Sequence, residues 1–334
     1  MPAGLTYPSL KVVLEFLDAN KRTHIINRCH SSFKKVEQVI PFRVDHVLLQ
    51  KKSITINKNH VEITNCLRRD EESTPPRKWK YLKVRDQNIV PGQTFSRPIP
   101  EEWTHVKSLI REMISKLLKV ERKNTLLGYF ENEFRFCSHD LRGLKFKVSN
   151  LKSKYVQDSL QLIHPSSAPL NYIEGCYPTT KQFRHHLIDS AKKLVINYCI
   201  DYDQSVFEQD KFPLHPNADV LFKKGWITLE LIRKIVLNLK NNEYKVGVTL
   251  EFEGLQISVM NKFMKYAKQW LSATQAEIDA SLDETLINNY SVIPRNRSTQ
   301  VTTKSHIVIY DTVGKNERVD GERVLVLKIV PTDP

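Results

Sequence analysis

At Pro41 the apolar residues of this chain change period, and that change constrains the fold more than any other feature of the sequence. Before it, Leu10, Val13, Leu14 and Leu17 recur at i, i+3, i+4 and i+7, one face of an amphipathic helix. Thr6 can cap its start, and Pro8 suits a first turn because its missing N–H would have had no intrahelical partner. Asp18-Ala19-Asn20 breaks the pattern, and Asn20 starts a second short helix carrying Ile25 and Ile26. Ser31 or Ser32 starts a third, with Phe33, Val36, Val39 and Ile40 facing inward until Pro41 ends it. Residues 5–41 therefore read as three short helices whose core is too small to be secure alone.

After Pro41 the period drops to two. "FRVDHVLLQ" and "SITINKNHVEITNC" alternate apolar and polar residues around the turn "NKNH". "RRDEESTPPRK" reads as a charged loop, "WKYLKVRDQ" as a further strand and "PGQTFSRPIP" as irregular chain. Trp103, Val106, Ile110, Met113, Leu117 and Val120 line one face of a helix from Glu101 to about Lys123. Beyond it, "LKFKVSNL", "PLNYIEG", "KKLVINYCI" and "KVGVTLEFEG" read as strands. Residues 228–242 form a strong helix, and another carries Val259, Phe263, Tyr266, Ala267, Trp270 and Leu271. "SHIVIYD" and "RVLVLKIVP" close the chain as a β-hairpin. The expected class is α/β: a helical segment at 1–41, then an α/β region at 42–334 with a sub-boundary in the loop at 66–80. Stacked α/β units on one sheet suggest a curved, leucine-rich-repeat-like array.

Composition narrows the function. No apolar run approaches the ~18 residues of a membrane span, and no secretory leader is visible. The five cysteines (29, 66, 137, 176 and 199) are odd in number and lack a C-x-x-C pair, which argues against a disulfide framework or zinc module. A cytoplasmic or nuclear location is expected. The chain carries 51 Lys and Arg against 37 Asp and Glu, a net charge of +14, and the first 60 residues hold ten of those cations against four anions. Cations come in twos and threes with no aromatic-basic RNA motif, so nucleic acid ranks below acidic protein partners.

No catalytic constellation emerges, and no metal or cofactor is expected. The sequence lacks a P-loop, a G-x-G-x-x-G and a G-x-S-x-G elbow. His185 and His186 are adjacent and point apart on a helix, so they read as surface residues. Cys199 has apolar and acidic neighbours, the opposite of what activates a thiolate. Asp201-Tyr202-Asp203 lacks the glycine and distal glutamate of a calcium loop. "KKGW" at 223–226 reads as a turn with an anchoring aromatic, and "PRNRST" at 294–299 as a solvated basic loop.

The opening "LTYPSLKVVLEFLDANKRTHIINRCHSSF" resembles an F-box, with Tyr7-Pro8, Leu14, Leu17, Cys29 and Phe33 at the corresponding places. With "IPFRVDHVLLQ", "ITINKNHVEI", "LRGLKFKVSNLK", "LIHPSSAPL" and "VLVLKIVP" in order, the whole chain is similar to the nematode-specific F-box C proteins, whose shared region is a domain of unknown function. The resemblance implies a non-enzymatic protein that recruits substrates to an SCF-type cullin ubiquitin ligase. Residues 5–41 would dock on the cullin adaptor, and the α/β region would hold an unknown target protein. Tyr7, Pro8, Leu10, Leu14, Phe16, Leu17, Ile25 and Ile26 are the candidate adaptor-interface residues. Phe16 stands off the leucine stripe, so an exposed position would mark it as a contact. The alternatives are a nucleic-acid-binding protein using its basic surface and an interaction protein whose F-box no longer functions.

Overall fold

The computed structural model describes residues 7–17, 21–22, 25, 35–37, 39–67, 78–86, 94–98, 114, 125–133, 144–176, 185–197, 218–223, 227–241, 244–270, 295–302, 305–313 and 323–331. It is a mixed α/β protein dominated by β-sheet, and its chain divides into two compact units, Met1–Ser167 and Ala168–Pro334.

The first unit begins with helix α1 (Tyr7–Phe16). Strands β1 (Phe42–Leu49), β2 (Ser53–Ile56), β3 (Asn59–Leu67), β4 (Lys78–Asp86), β5 (Thr94–Pro98), β6 (Thr125–Asn132) and β7 (Lys147–Ser153) follow. Their order in the sheet is β5-β4-β3-β2-β1-β6-β7. β1 to β5 form an antiparallel meander, whereas β1, β6 and β7 run parallel. Asn57 (φ +53°) takes the left-handed turn between β2 and β3, a conformation asparagine tolerates better than most residues. The parallel strands stack their inward residues in rows: Val44, Leu127 and Val148, then Val47, Phe130 and Leu151. Phe146 adds its ring to Phe130 at 5.7 Å. Helix α2 (Val156–Leu160) returns Val156 and Leu160 to this core.

Those three strands share an irregular step. In each, two consecutive residues stay out of the core: Asp45-His46 in β1, Gly128-Tyr129 in β6 and Ser149-Asn150 in β7. The register offset is the same on either side, so the step lies at one level across all three. Asn57 Oδ1 accepts from Asp45 N and His46 N, both at 3.0 Å, and Asn150 Nδ2 donates to the Gly128 carbonyl at 2.7 Å. Side-chain amides thus satisfy backbone groups beside the step.

In the second unit, β8 (Tyr172–Gly175), β9 (Lys193–Ile196), β10 (Asp219–Phe222) and β11 (Thr249–Leu255) run parallel. Next to β11 come β14 (Arg323–Pro331), β13 (Ser305–Val313) and β12 (Arg295–Thr302), all antiparallel. The inward rows are Ile173, Leu194, Val220, Leu250 and Leu327, then Gly175, Ile196, Phe222, Phe252 and Leu325. The Phe222 and Phe252 rings stack at 4.8 Å. A one-turn helix α3 (His186–Asp189) precedes β9. Helix α4 (Leu229–Asn241) starts where Thr228 Oγ1 accepts from Leu231 N, the N-cap bond its sequence favours. It buries Leu231, Ile232, Ile235, Val236 and Leu239, while helix α5 (Ile257–Trp270) buries Met260, Phe263, Met264 and Ala267. Arg233 joins the two helices by lying over the Tyr266 ring at 4.6 Å.

Four expectations differ from what is found. The stretch read as irregular contains β5, a short edge strand with Pro98 at its end, where an N–H is not needed. Within "PRNRST", Arg295–Thr299 are not a loop but the start of β12, paired with β13; their polar side chains hide the strand period. β6 and β10 carry too few alternating residues to announce themselves. Val13 and Val39 face outward; among the described residues around them, Leu14 in the first case and Glu37 and Ile40 in the second are buried. Of the helix expected from Glu101 to Lys123, Ile114 alone lies within the described residues, helical and buried. Residues 68–77, Leu271 and most of the second and third expected helices lie outside them. No helix among the described residues is long and apolar enough to cross a membrane.

Candidate functional site

The sequence directs attention to the N-terminal segment. Leu14 is 1% exposed and belongs to the core, with Leu10 and Leu17 half-buried beside it. Tyr7, Pro8 and Phe16 lie in α1, with their side chains outside the description, and Ile26 lies outside the described residues. Ile25 is 39% exposed, and three positions outside the interface candidates are at least as exposed: Val12 at 55%, and Val13 and Val39, expected to face inward, at 46% and 61%. Among the described residues only Leu237 and Val246 join these as exposed large aliphatics. The signal was in the sequence: "KVV" and "QVI" carry one more apolar residue than a single helical stripe can bury.

Arg22 fastens this segment. Its side chain is 1% exposed; Nε donates to Glu37 Oε1 at 3.0 Å, and Nη2 donates to the carbonyls of Glu37 and Ile40 at 2.9 Å. Nη1 donates to the Pro41 carbonyl at 2.6 Å, and the guanidinium lies 5.6 Å from the Phe42 ring centre. One planar cation thereby serves the carbonyls at a helical C-terminus and touches the first residue of β1. A second tie is the surface pair of Arg43 and Glu15 at 2.9 Å.

The outward face of β1, β6 and β7 is mostly polar, with Leu48 and Leu126 among its charged and amide side chains. At the step, His46, Tyr129 and Asn150 fall in one row, with the His46 and Tyr129 rings 5.6 Å apart. In the next outward row Glu131 meets Lys152 at 2.5 Å and His46 Nε2 at 3.5 Å. Inside the same strand ends, Asn132 donates to Ser159 Oγ, which is 2.7 Å from Ser153 Oγ. That buried polar ladder ends the apolar rows without orphaning its groups.

In the second unit, Glu174 of β8 is 6% exposed. Lys223 Nζ and Asn197 Nδ2 donate to its Oε1 at 2.7 Å and 3.1 Å, and Tyr172 Oη donates to Oε2. Burial pushes this carboxyl up, but the bonds from Lys223, Tyr172 and Asn197 outweigh it and hold it below the ordinary carboxylate range. Asn197 and Lys223 each follow the last residue of a parallel strand, the end at which α/β sheets gather functional groups. Glu174 could have been noticed as a carboxylate inside the apolar run "YIEGC"; its partners, 23 and 49 residues on, could not. In the same cross-strand row, three strands over, Glu251 is pushed up by burial and by Glu253 and Asp219, against the pull of Lys193.

His185, half-buried, caps α3 through Nδ1, and its ring lies 4.5 Å from that of exposed His186; they are near the surface, but the rings do not point apart as expected. Cys176 is buried. Cys199, Asp201, Asp203 and residues 224–226 lie outside the described residues. Among the described residues no group of three or more His, Cys, Asp or Glu side chains is placed to hold a metal ion.

These features define a mixed α/β protein with two units, each built around parallel strands, and with an exposed apolar N-terminal segment. Residues 107–256 match the family model of a domain of unknown function, DUF3557. The match reaches from ahead of β6 through β11 and leaves the N-terminal segment outside it. No curated protein and no solved structure matches the chain.

Proposed function

We propose that the chain is a non-enzymatic substrate receptor of an SCF-type cullin ubiquitin ligase, working in the cytoplasm or nucleus. Residues 1–41 are its F-box-like segment and bind the cullin adaptor; the α/β region from residue 42 onward holds the target protein. The observation that carries this reading is the concentration of exposed aliphatic side chains in the N-terminal segment: Val12, Val13, Ile25 and Val39. Isolated exposed apolar residues are unremarkable, but four within one short helical segment suit a partner that covers them. The F-box-like sequence and its resemblance to the F-box C proteins favour the adaptor as that partner. Within their units, β6–β7 and β8–β11 recur roughly 20–30 residues apart, as in a leucine-rich array whose sheet face receives proteins.

Binding of purified cullin adaptor to the full chain, measured by surface plasmon resonance, tests the proposal. A Val12→Asp/Val13→Asp double variant should keep its circular dichroism and lose at least roughly tenfold in affinity. A Leu14 variant would test folding instead, since Leu14 is buried. Absence of binding by folded wild type overturns the reading. Salt-sensitive binding of single-stranded RNA in its place would favour the basic-surface alternative, for which the net charge of +14 is the supporting feature.

A further inference from the structure

We infer that Arg22 is the positioning residue of the N-terminal interaction surface: it latches the turn bearing Ile25 to the turn bearing Val39 and fixes both to β1. The inference rests on the adaptor-binding reading for its partner, but the latch itself follows from geometry. Arg22 lies three residues before Ile25, and both are helical, with Arg22 buried and Ile25 at the surface. Val39 lies between Glu37 and Ile40, and Arg22 binds the carbonyls of both at 2.9 Å. The same guanidinium reaches Pro41 O and the Phe42 ring, which puts it at the joint between helical segment and sheet.

A packed apolar core would hold such a segment without specifying the angle between its turns. The segment's core is small, and among its described residues the largest side chain buried completely is this arginine. A planar fork with fixed donor directions satisfies Glu37 Oε1 and three carbonyls in one arrangement. Lysine carries the same charge but cannot reach these acceptors together. Without Arg22, β1 keeps its pairing with β2 and β6, while Ile25 and Val39 lose their fixed separation.

The test compares full-length wild type with Arg22→Met and Arg22→Lys by hydrogen–deuterium exchange and by adaptor binding. Both variants should speed exchange of peptides covering 7–25 and 35–40 by at least roughly tenfold, and leave peptides of β1, β6 and β7 as protected as in wild type. Adaptor affinity should fall by a similar factor, and saturating adaptor should restore part of the lost protection. Unchanged exchange in both variants overturns the latch. Loss of protection spreading through β1, β6 and β7 in both variants also overturns it, because Arg22 would then support the whole unit. Faster exchange confined to the segment in a chain whose wild type binds no adaptor upholds the latch and refutes the adaptor reading, so the two failures are distinct.

Discussion

A Cβ atom at Gly128 would lie 2.8 Å from the carbonyl oxygen of Asp45, closer than side-chain carbons approach backbone in folded proteins. The two residues belong to adjacent strands at the shared step, so glycine is what lets β6 lie against β1 there. Gly128→Ala must push the strands apart or reshape the step, at about 1–3 kcal/mol. A lower urea midpoint with unchanged slope is expected. An unchanged midpoint would mean that the strands spread without penalty.

Asn57 performs two tasks, holding a positive φ and accepting from Asp45 N and His46 N. Asn57→Ala forfeits both, with an expected loss of about 2–3 kcal/mol. Asn57→Gly regains the backbone freedom but not the bonds, so its stability should fall between wild type and alanine. Finding glycine below alanine in thermal denaturation would remove the backbone from the explanation.

Glu174→Gln should destabilise the protein by about 1–3 kcal/mol at pH 7, since it replaces a bonded buried carboxylate with a neutral amide beside Lys223. The folded-state carboxyl lies below its ordinary value of 4.5. Its contribution is therefore complete above that value and is lost as pH falls through the depressed one. The gap between wild type and variant should narrow in urea titrations below pH 4.5. A gap that stays constant into acid would assign it to packing alone.

Glu251 predicts the opposite slope. Burial raises its carboxyl above 4.5, so the fold carries a penalty once the group ionises, and stability declines as pH rises from that value through the raised one. Glu251→Gln should raise the melting temperature at pH 7 and leave it unaltered near pH 4. A lower melting temperature at pH 7 would mean that attraction to Lys193 outweighs the burial.

Much of this fold was legible in the chain. The period change at Pro41 marks the passage from helix to sheet, and α4 and α5 announce themselves through Leu231, Ile235 and Leu239, and Met260, Phe263 and Ala267. The step in β1, β6 and β7 was written too, as Val44-x-x-Val47, Leu127-x-x-Phe130 and Val148-x-x-Leu151. It escaped because a three-residue apolar spacing reads locally as a helical turn, and only alignment of the three strands gives it meaning. The Arg22 latch and the Glu174 group were not legible. Their partners are distant in sequence, and a buried charge looks like a surface charge until the acceptors around it are known.

The step shared by three strands also works as a counting mark. Parallel strands with evenly spaced bonds offer little to oppose sliding by one residue, beyond the inversion of faces it causes. Here a slip would also bring each doubled position opposite a single one, and Gly128 would no longer lie at Asp45. The interval from Val44 to Val47 cannot change unless the corresponding intervals in β6 and β7 change with it.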